Sequence, residues 1–276
     1  MTRIIVYGNC QSGPIGRLLE SVSPSIKLIR VPPVHTIKPD QFSDVENSFR
    51  SADIVLSQNV GNKFGQMSTD ALKTQSGHRE WITFPTLYFG GIFPHLTYLR
   101  SESGAPLKGP LADYHDSRIL RSFLSNETQK QCVDRSRNKE PTLCASNFEK
   151  SILESTRRES DLPIKIINFL LEKVRAVRTF YTFNHPSNII MWEVVLQFAK
   201  LTGIAVNPSA RPPVNPYLGE ISAGIPPEMV DAVGLNFVES DYRVNGQIVP
   251  FETLVADFYR IYALTPRLEA FASKAA

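Results

Sequence analysis

Residues 3–22 read RIIVYGNCQSGPIGRLLESV. Arg3 to Tyr7 is a short, largely β-branched apolar run, glycine and polar residues follow at once, and Ile15, Leu18, Leu19 and Val22 then recur at helical spacing. That order predicts a strand, a tight loop and a helix. Working outward, KLIRV at 27–31 stops at Pro32-Pro33, ADIVLSQNVG at 52–61 is a third strand-like run and WITFP at 81–85 a fourth. Helical patterns fall between them, around Gln41–Arg50 and over 67–75. Strands alternating with helices, the strands apolar nearly throughout, predict an α/β fold whose parallel sheet of four to five strands is covered on both faces. The first half is SGNH- or flavodoxin-like in this respect.

Past residue 105 helical patterns dominate, so the chain is expected to be a single domain, 1–276, with an α/β half at 1–105 and a mainly helical half at 106–276. Asp113–Leu124 has helical spacing, whereas polar Thr128–Arg137 reads as an exposed loop or a frayed helix. Ser146-Asn147-Phe148-Glu149 has the form of a capping box and predicts a helix running through Thr156. Another helix is expected from Asp161-Leu162-Pro163, with Ile164, Ile167, Leu171 and Val174 on one face. RTFYTF at 178–183 reads as a fifth strand ending in Asn184-His185-Pro186-Ser187, ahead of a helix closed by Gly203. Six of the 20 prolines lie within 207–227, which is expected to be an extended surface segment, and a last helix is expected at Glu252–Tyr262.

Composition narrows the function classes. Of 276 residues, 42% are hydrophobic and 21% charged, which excludes a largely disordered chain. A net charge of +3 lacks the concentrated basic charge of a dedicated nucleic-acid binder. The three cysteines, Cys10, Cys132 and Cys144, are too few for a disulfide framework and fit a reducing compartment. With no secretory h-region and no apolar run of membrane-spanning length, a soluble cytoplasmic protein is expected. No histidine pair has i, i+4 spacing and no CxxC occurs, so no metal site is expected. The loop GNCQSGPIG matches neither GxGxxG nor the Walker A pattern, and GxSxG is absent.

In open parallel sheets ligands lie outside the carboxyl ends of the strands. The first strand delivers Gly8-Asn9-Cys10-Gln11 there, the third Gln58-Asn59, the fourth Pro85-Thr86 and the expected fifth Asn184-His185. A cysteine at a strand-to-helix turn is exposed to backbone N–H groups and to the positive helix end, both of which favour a thiolate nucleophile. The alternative is a small buried residue, as free cysteines usually are. His185 is the candidate base for Cys10 and His115 the second candidate. His95 is expected to line the cleft, while His35 and His78 read as surface residues. Oxyanion or substrate contacts fall to the Cys10 N–H and to Asn9, Gln11, Gln58 and Asn184.

Taken together, Gly8-Asn9-Cys10-Gln11, Ala52-Asp53-Ile54-Val55 leading to Gln58, the stretch from Phe84-Pro85 to His95-Leu96, Asp113-Tyr114-His115 and Phe183-Asn184-His185-Pro186-Ser187 resemble the WcbI-type polysaccharide biosynthesis proteins. The resemblance spans roughly residues 3–200. It implies a coenzyme A-binding acetyltransferase of bacterial capsule assembly, moving an acyl group from the coenzyme A thioester to a sugar hydroxyl, with Cys10 and a histidine at the centre. Phe93-Pro94-His95-Leu96 departs from the family's His-Pro-Asp order, so His95 inherits no role. For the coenzyme A phosphates, Ser12, Gly13 and Arg17 stand nearest a helix start, and Lys63, Arg118 and Arg121 are alternatives. The partner implied is a sugar or polysaccharide precursor, with no nucleic acid and no membrane insertion. Two rivals remain: an SGNH-like esterase using Cys10, with Gly-Asn-Cys in place of Gly-Asp-Ser, and a non-catalytic protein that holds a glycan or nucleotide at the same edge.

Overall fold

The computed structural model describes residues 1–77, 80–101 and 103–272; His78, expected at the surface, lies outside the described residues. The chain begins with β1 (Thr2–Tyr7), α1 (Ser12–Val22), β2 (Ile26–Leu28), α2 (Phe42–Ser51), β3 (Ile54–Gln58), α3 (Thr69–Ser76) and β4 (Glu80–Phe84). It continues through β5 (Leu96–Tyr98), β6 (Tyr114–Asp116), α4 (Ser117–Leu124), α5 (Gln129–Ser136), α6 (Pro141–Glu159), α7 (Ile167–Lys173), β7 (Phe180–Thr182), β8 (His185–Pro186) and α8 (Asn188–Thr202). The remainder holds β9 (Ile221–Ser222), α9 (Met229–Val233), β10 (Tyr242–Val244), β11 (Gln247–Val249), α10 (Phe251–Ala263) and α11 (Leu268–Ala272). Two compact units result, one of Met1–Tyr88, Leu153–Lys173 and His185–Tyr217, the other of Phe89–Ile152, Val174–Asn184 and Leu218–Ala276. The change of composition near residue 105 therefore coincides with neither unit's boundaries.

The first unit is built on a parallel sheet of order β2-β1-β3-β4, with Ile4 opposite Ile54 and Leu56 opposite Ile82. Side chains alternate across it. Ile5 and Tyr7 join Val45, Phe49, Val55 and Leu72 in one buried cluster, while Ile4 and Val6 point to the other face. The Phe49 ring packs edge-on against Tyr7 and stacks on Trp81, with centroids 5.1 and 5.5 Å away. Burying such a ring contributes roughly 1.5–3 kcal/mol. Helix α1 buries Ile15, Leu18, Leu19 and Val22, the stripe its sequence predicts, and packs on α8.

The fifth strand is corrected. The run at 178–183 yields only the three-residue β7, which is not a member of the four-stranded sheet. An aromatic, β-branched run specifies a strand but not its partner, since β2 is equally short and does join the sheet; pairing is decided by where the intervening chain carries the run.

The second unit is less helical than its composition suggests. It contains an antiparallel sheet of order β11-β10-β9 and the antiparallel pair β5-β6. The helix expected at 113–124 starts late: Tyr114–Asp116 is a strand, and the Asp116 carboxylate caps α4 by accepting from the Arg118 N–H at 2.8 Å. The polar segment after Thr128 is a true helix, α5, closed by a reciprocal capping box between Thr128 and Gln131. The capping box proposed at Ser146 lies inside α6, which starts at Pro141, and the Ser146 hydroxyl donates instead to the Leu143 carbonyl. Within 207–227, Ile221, Ala223 and Ile225 are buried, so only part of that stretch is surface.

In the first unit, the helix expected from Asp161 begins at Ile167 as α7. The buried Glu159 carboxylate accepts from the Ile166 and Ile167 N–H groups at 2.8 and 2.9 Å and supplies the cap.

Candidate active site

The loop after β1 is held by a carboxamide network within the first unit. A Cβ on Gly8 would lie 2.3 Å from Gln58 Oε1, so only glycine lets Gln58 pass beneath the loop. Gln58 Oε1 accepts from the Asn9 N–H at 2.9 Å, and its Nε2 donates to Gln11 Oε1 at 2.7 Å. Gln11 in turn pairs with the Leu87 backbone, its Nε2 donating to the carbonyl at 2.7 Å and its Oε1 accepting from the N–H at 3.1 Å. Asn9 Oδ1 accepts from the Gln11 N–H at 3.0 Å, and the Asn9 carbonyl accepts from the Ser12 N–H and hydroxyl at 3.1 and 2.9 Å. The Gly8 carbonyl accepts from the Val34 N–H at 2.9 Å. One loop is thereby fastened to β3, to the chain leaving β4 and to the chain beyond β2.

Gln11 and Gln58 are therefore clamps, and their expected service as oxyanion donors is revised: both amides are buried and committed to the loop. Asn9 differs. Its Oδ1 is used inside the loop, while Nδ2 has no hydrogen-bond partner among the described residues, and the side chain is only half-buried.

Cys10 is half-buried at the centre of the clamped loop, whereas Cys132 and Cys144 are buried. Burial pushes the Cys10 thiol above its ordinary value, and the hydrogen bond of its own backbone group draws it down only in part. The expected thiolate is thus corrected to a neutral thiol, because desolvation of the charge outweighs the neighbouring backbone dipoles.

His185 lies in β8, half-buried, immediately before α8. Since β7 is outside the parallel sheet, His185 does not come from a strand of that sheet, and the positional argument for it changes. The start of α8 that follows His185 is fixed by a chain of contacts. The Arg17 guanidinium stacks over the Tyr217 ring at 4.3 Å, the Tyr217 N–H donates to Asn188 Oδ1 at 3.2 Å, and Asn188 opens the helix three residues after His185. Asn188 Nδ2 also donates to the Pro213 and Asn215 carbonyls, both at 2.8 Å, which pins the proline-rich segment to α8.

His115 is fully buried in the second unit, with Nδ1 2.9 Å from the Tyr262 hydroxyl and Nε2 2.9 Å from the Leu107 carbonyl. Both ring nitrogens are occupied, leaving none to serve a substrate. Asn184 belongs to the same unit, its Oδ1 accepting from the Tyr114 and Thr182 hydroxyls at 2.5 and 3.1 Å. His95 is buried rather than cleft-lining, with Nε2 3.6 Å from Glu140, and His35 is exposed as expected. Of the phosphate candidates, Ser12 is buried and turned into the loop, while Gly13 and Arg17 are exposed one turn apart on α1.

Arg158 escaped the sequence reading, since an Arg157-Arg158 pair in a helix's last turn reads as a solvated end. Its Nη2 donates to the Tyr88 carbonyl at 3.1 Å and its guanidinium lies over the Tyr88 ring at 5.1 Å. Tyr88 directly follows the Leu87 that Gln11 holds, so a cation stands beside the clamped loop.

The architecture defines a class: an α/β protein presenting a thiol in the first strand-to-helix loop of a four-stranded parallel sheet. A profile of the polysaccharide biosynthesis enzyme WcbI family matches residues 3–207. The chain belongs to the WcbI family of polysaccharide biosynthesis enzymes. Among solved structures, the fold is similar to that of WcbI, described as a novel polysaccharide biosynthesis enzyme in its native form without a disulfide bond between coenzyme A and one of its cysteines. That likeness has a TM-score of 0.80 at 17% identity and covers 98% of this chain and 93% of the other. No curated protein matches. Among the described residues no helix is long and apolar enough to cross a membrane.

Proposed function

We propose that the chain transfers an acyl group from a coenzyme A thioester to a sugar hydroxyl. The observation that carries this reading is the loop itself: a half-buried thiol held rigidly by buried carboxamides in a member of a polysaccharide biosynthesis family. The description of the similar solved protein, which names coenzyme A together with one of its cysteines while stating that no disulfide bond joins them, supports it.

In this mechanism the Cys10 sulfur attacks the thioester carbonyl while His185 takes the thiol proton, a role a neutral thiol requires. The carbon–sulfur bond to coenzyme A breaks, and the departing sulfur receives the proton. A sugar hydroxyl then attacks acyl-Cys10, His185 removing its proton, and the ester and the free thiol result. Asn9 Nδ2 and the Cys10 N–H stabilise the oxyanion at each attack, the N–H groups of Asn9, Gln11 and Ser12 being spent within the loop. Gly13, Arg17 and Arg158 offer a helix turn and two cations to the coenzyme A phosphates. The raised thiol also supports a second reading, in which His185 activates the sugar hydroxyl directly and Cys10 only lines the thioester pocket.

Transfer from acetyl coenzyme A to sugar acceptors is to be measured in Cys10→Ala, His185→Ala and the double variant. Each single change is expected to cost about a hundredfold or more, and the double little more than either, because the two share a step. Full activity in Cys10→Ala refutes the acyl-cysteine route, and an acetylated Cys10 peptide excludes direct transfer. Absence of calorimetric heat with millimolar coenzyme A removes the reading altogether.

A further inference from the structure

The second unit carries two adjoining cavities that share Arg118 and Ser136 in their walls. The first, about 240 Å³, is lined by Arg118, Arg121 and Arg135 against the single carboxylate of Glu140. Arg118 is fixed: Nε and Nη2 donate to the two oxygens of the buried Asp116 at 3.1 and 2.7 Å, Nη2 reaches the Tyr242 hydroxyl at 3.4 Å, and the guanidinium stacks over Phe251 at 4.9 Å. Arg121 and Arg135 are exposed arms at the rim. Arg135 pairs with Glu127, and Arg121 approaches Glu140 only at 4.0 Å, beyond hydrogen-bond distance. Guanidinium forks converging on a small cavity suit the oxygens of a phosphoryl group.

The second cavity, about 280 Å³, differs in kind. Tyr242, Phe251, Pro226 and Pro250 give it apolar walls, and its charged lining is balanced, Asp241 and Glu252 standing with Arg118 and Arg137. Carboxylates accept from sugar hydroxyls and guanidinium groups donate to them, so this mixed wall beside aromatic rings is matched to a sugar ring, whereas the first cavity sets three guanidinium groups against one carboxylate. Joined at Arg118, the two cavities reach the size of a small-molecule site. We propose that they bind a phosphorylated sugar, its phosphoryl group among Arg118, Arg121 and Arg135 and its ring against Tyr242 and Phe251. This binding does not depend on the acyltransferase reading.

Binding is to be followed by calorimetry on the full chain with inorganic phosphate, glucose 1-phosphate, UDP-glucose, glucose and coenzyme A as separate probes. Arg118→Ala would strand the Asp116 charge and endanger the fold, so the variant is Arg121→Gln with Arg135→Gln, its melting temperature checked first. Glucose 1-phosphate or UDP-glucose is expected to bind the wild type and to bind the double variant about tenfold more weakly or worse, with glucose inert and coenzyme A unaffected. A preference for one of the two esters tells a sugar monophosphate from a nucleotide-linked sugar. Equal affinity in wild type and variant, binding of inorganic phosphate alone, or no binding of either ester at millimolar concentration overturns the proposal. Loss of coenzyme A affinity in the double variant also overturns it, by giving the cavity to the donor, and leaves the acyltransferase reading standing. Failure of coenzyme A to bind the wild type removes that reading without touching this one.

Discussion

At Cys10 two effects compete, and burial wins. The strand-to-helix turn gives the thiol backbone dipoles, yet removal from water costs the charged form more, so the group sits above its ordinary 9.0. Cys10 is nevertheless the reactive cysteine by access, because Cys132 and Cys144 are buried at 1% and 0% exposure. Iodoacetamide labelling followed by peptide mapping is expected to modify Cys10 first, slowly near pH 7 and faster as pH rises past 9.0. A rate already at its plateau near neutral pH would mean an activated thiolate and would overturn the assignment of a neutral thiol. That Cys10 occupies a strand-to-helix loop is legible in its neighbours, for glycine, asparagine and serine beside an apolar run name a turn. Its protonation state is not, because desolvation depends on atoms brought near by distant segments.

The loop and its flanking elements act as a unit. The clamps bridge 49, 47 and 76 residues of sequence, joining Asn9 to Gln58, Gln58 to Gln11 and Gln11 to Leu87. Gly8 is the position on which they depend, since a methyl group there collides with the Gln58 amide. Gly8→Ala is expected to displace Gln58, strand buried amide groups and destabilise the protein by about 1–3 kcal/mol, with a larger fractional loss of coenzyme A affinity or activity than of stability. Denaturant unfolding alongside activity checks this; an unchanged midpoint and rate would remove the clamp from the account. The sequence marks Gln58 as a polar residue closing a strand, but not that its amide faces Gln11. Likewise Thr128 and Gln131 spell a capping box that a polar, charged context disguised, and Asp116 caps α4 where periodicity alone ran the helix on to Asp113.

Across the whole molecule, buried titratable groups set how stability responds to acid. His95 and His115 are held below their ordinary 6.5, chiefly by burial. Their neutral forms are favoured in the fold, so the stability they carry is present above 6.5 and is lost as pH falls through their lowered values. Asp116 follows the same sign lower on the scale. Burial alone would raise its carboxyl, but Arg118 more than offsets this and holds it below 3.8, so its contribution is present above 3.8 and fades beneath it. Thermal melts are expected to show two declines, one beginning below 6.5 and a steeper one below 3.8. His115→Gln is expected to flatten the first relative to neutral pH. A melting temperature constant from pH 7 to 5 would contradict the buried neutral histidines.

What the sequence by itself determined is local: the β1–loop–α1 unit, the alternation that makes a parallel sheet, the apolar stripe of α1 and the thiol at a turn. Each rests on residues within a few positions of one another, where periodicity, glycine and backbone hydrogen bonding act directly. Only the tertiary structure decided that β7 stands outside the parallel sheet, that Gln11 and Gln58 are clamps, that His115 is occupied on both nitrogens while Asn188 is tied through Tyr217 to Arg17, and that Arg118, Arg121 and Arg135 share a cavity. These depend on which distant side chains meet, and a carboxamide or guanidinium has the same local sequence signature whether it faces water, a loop or a ligand.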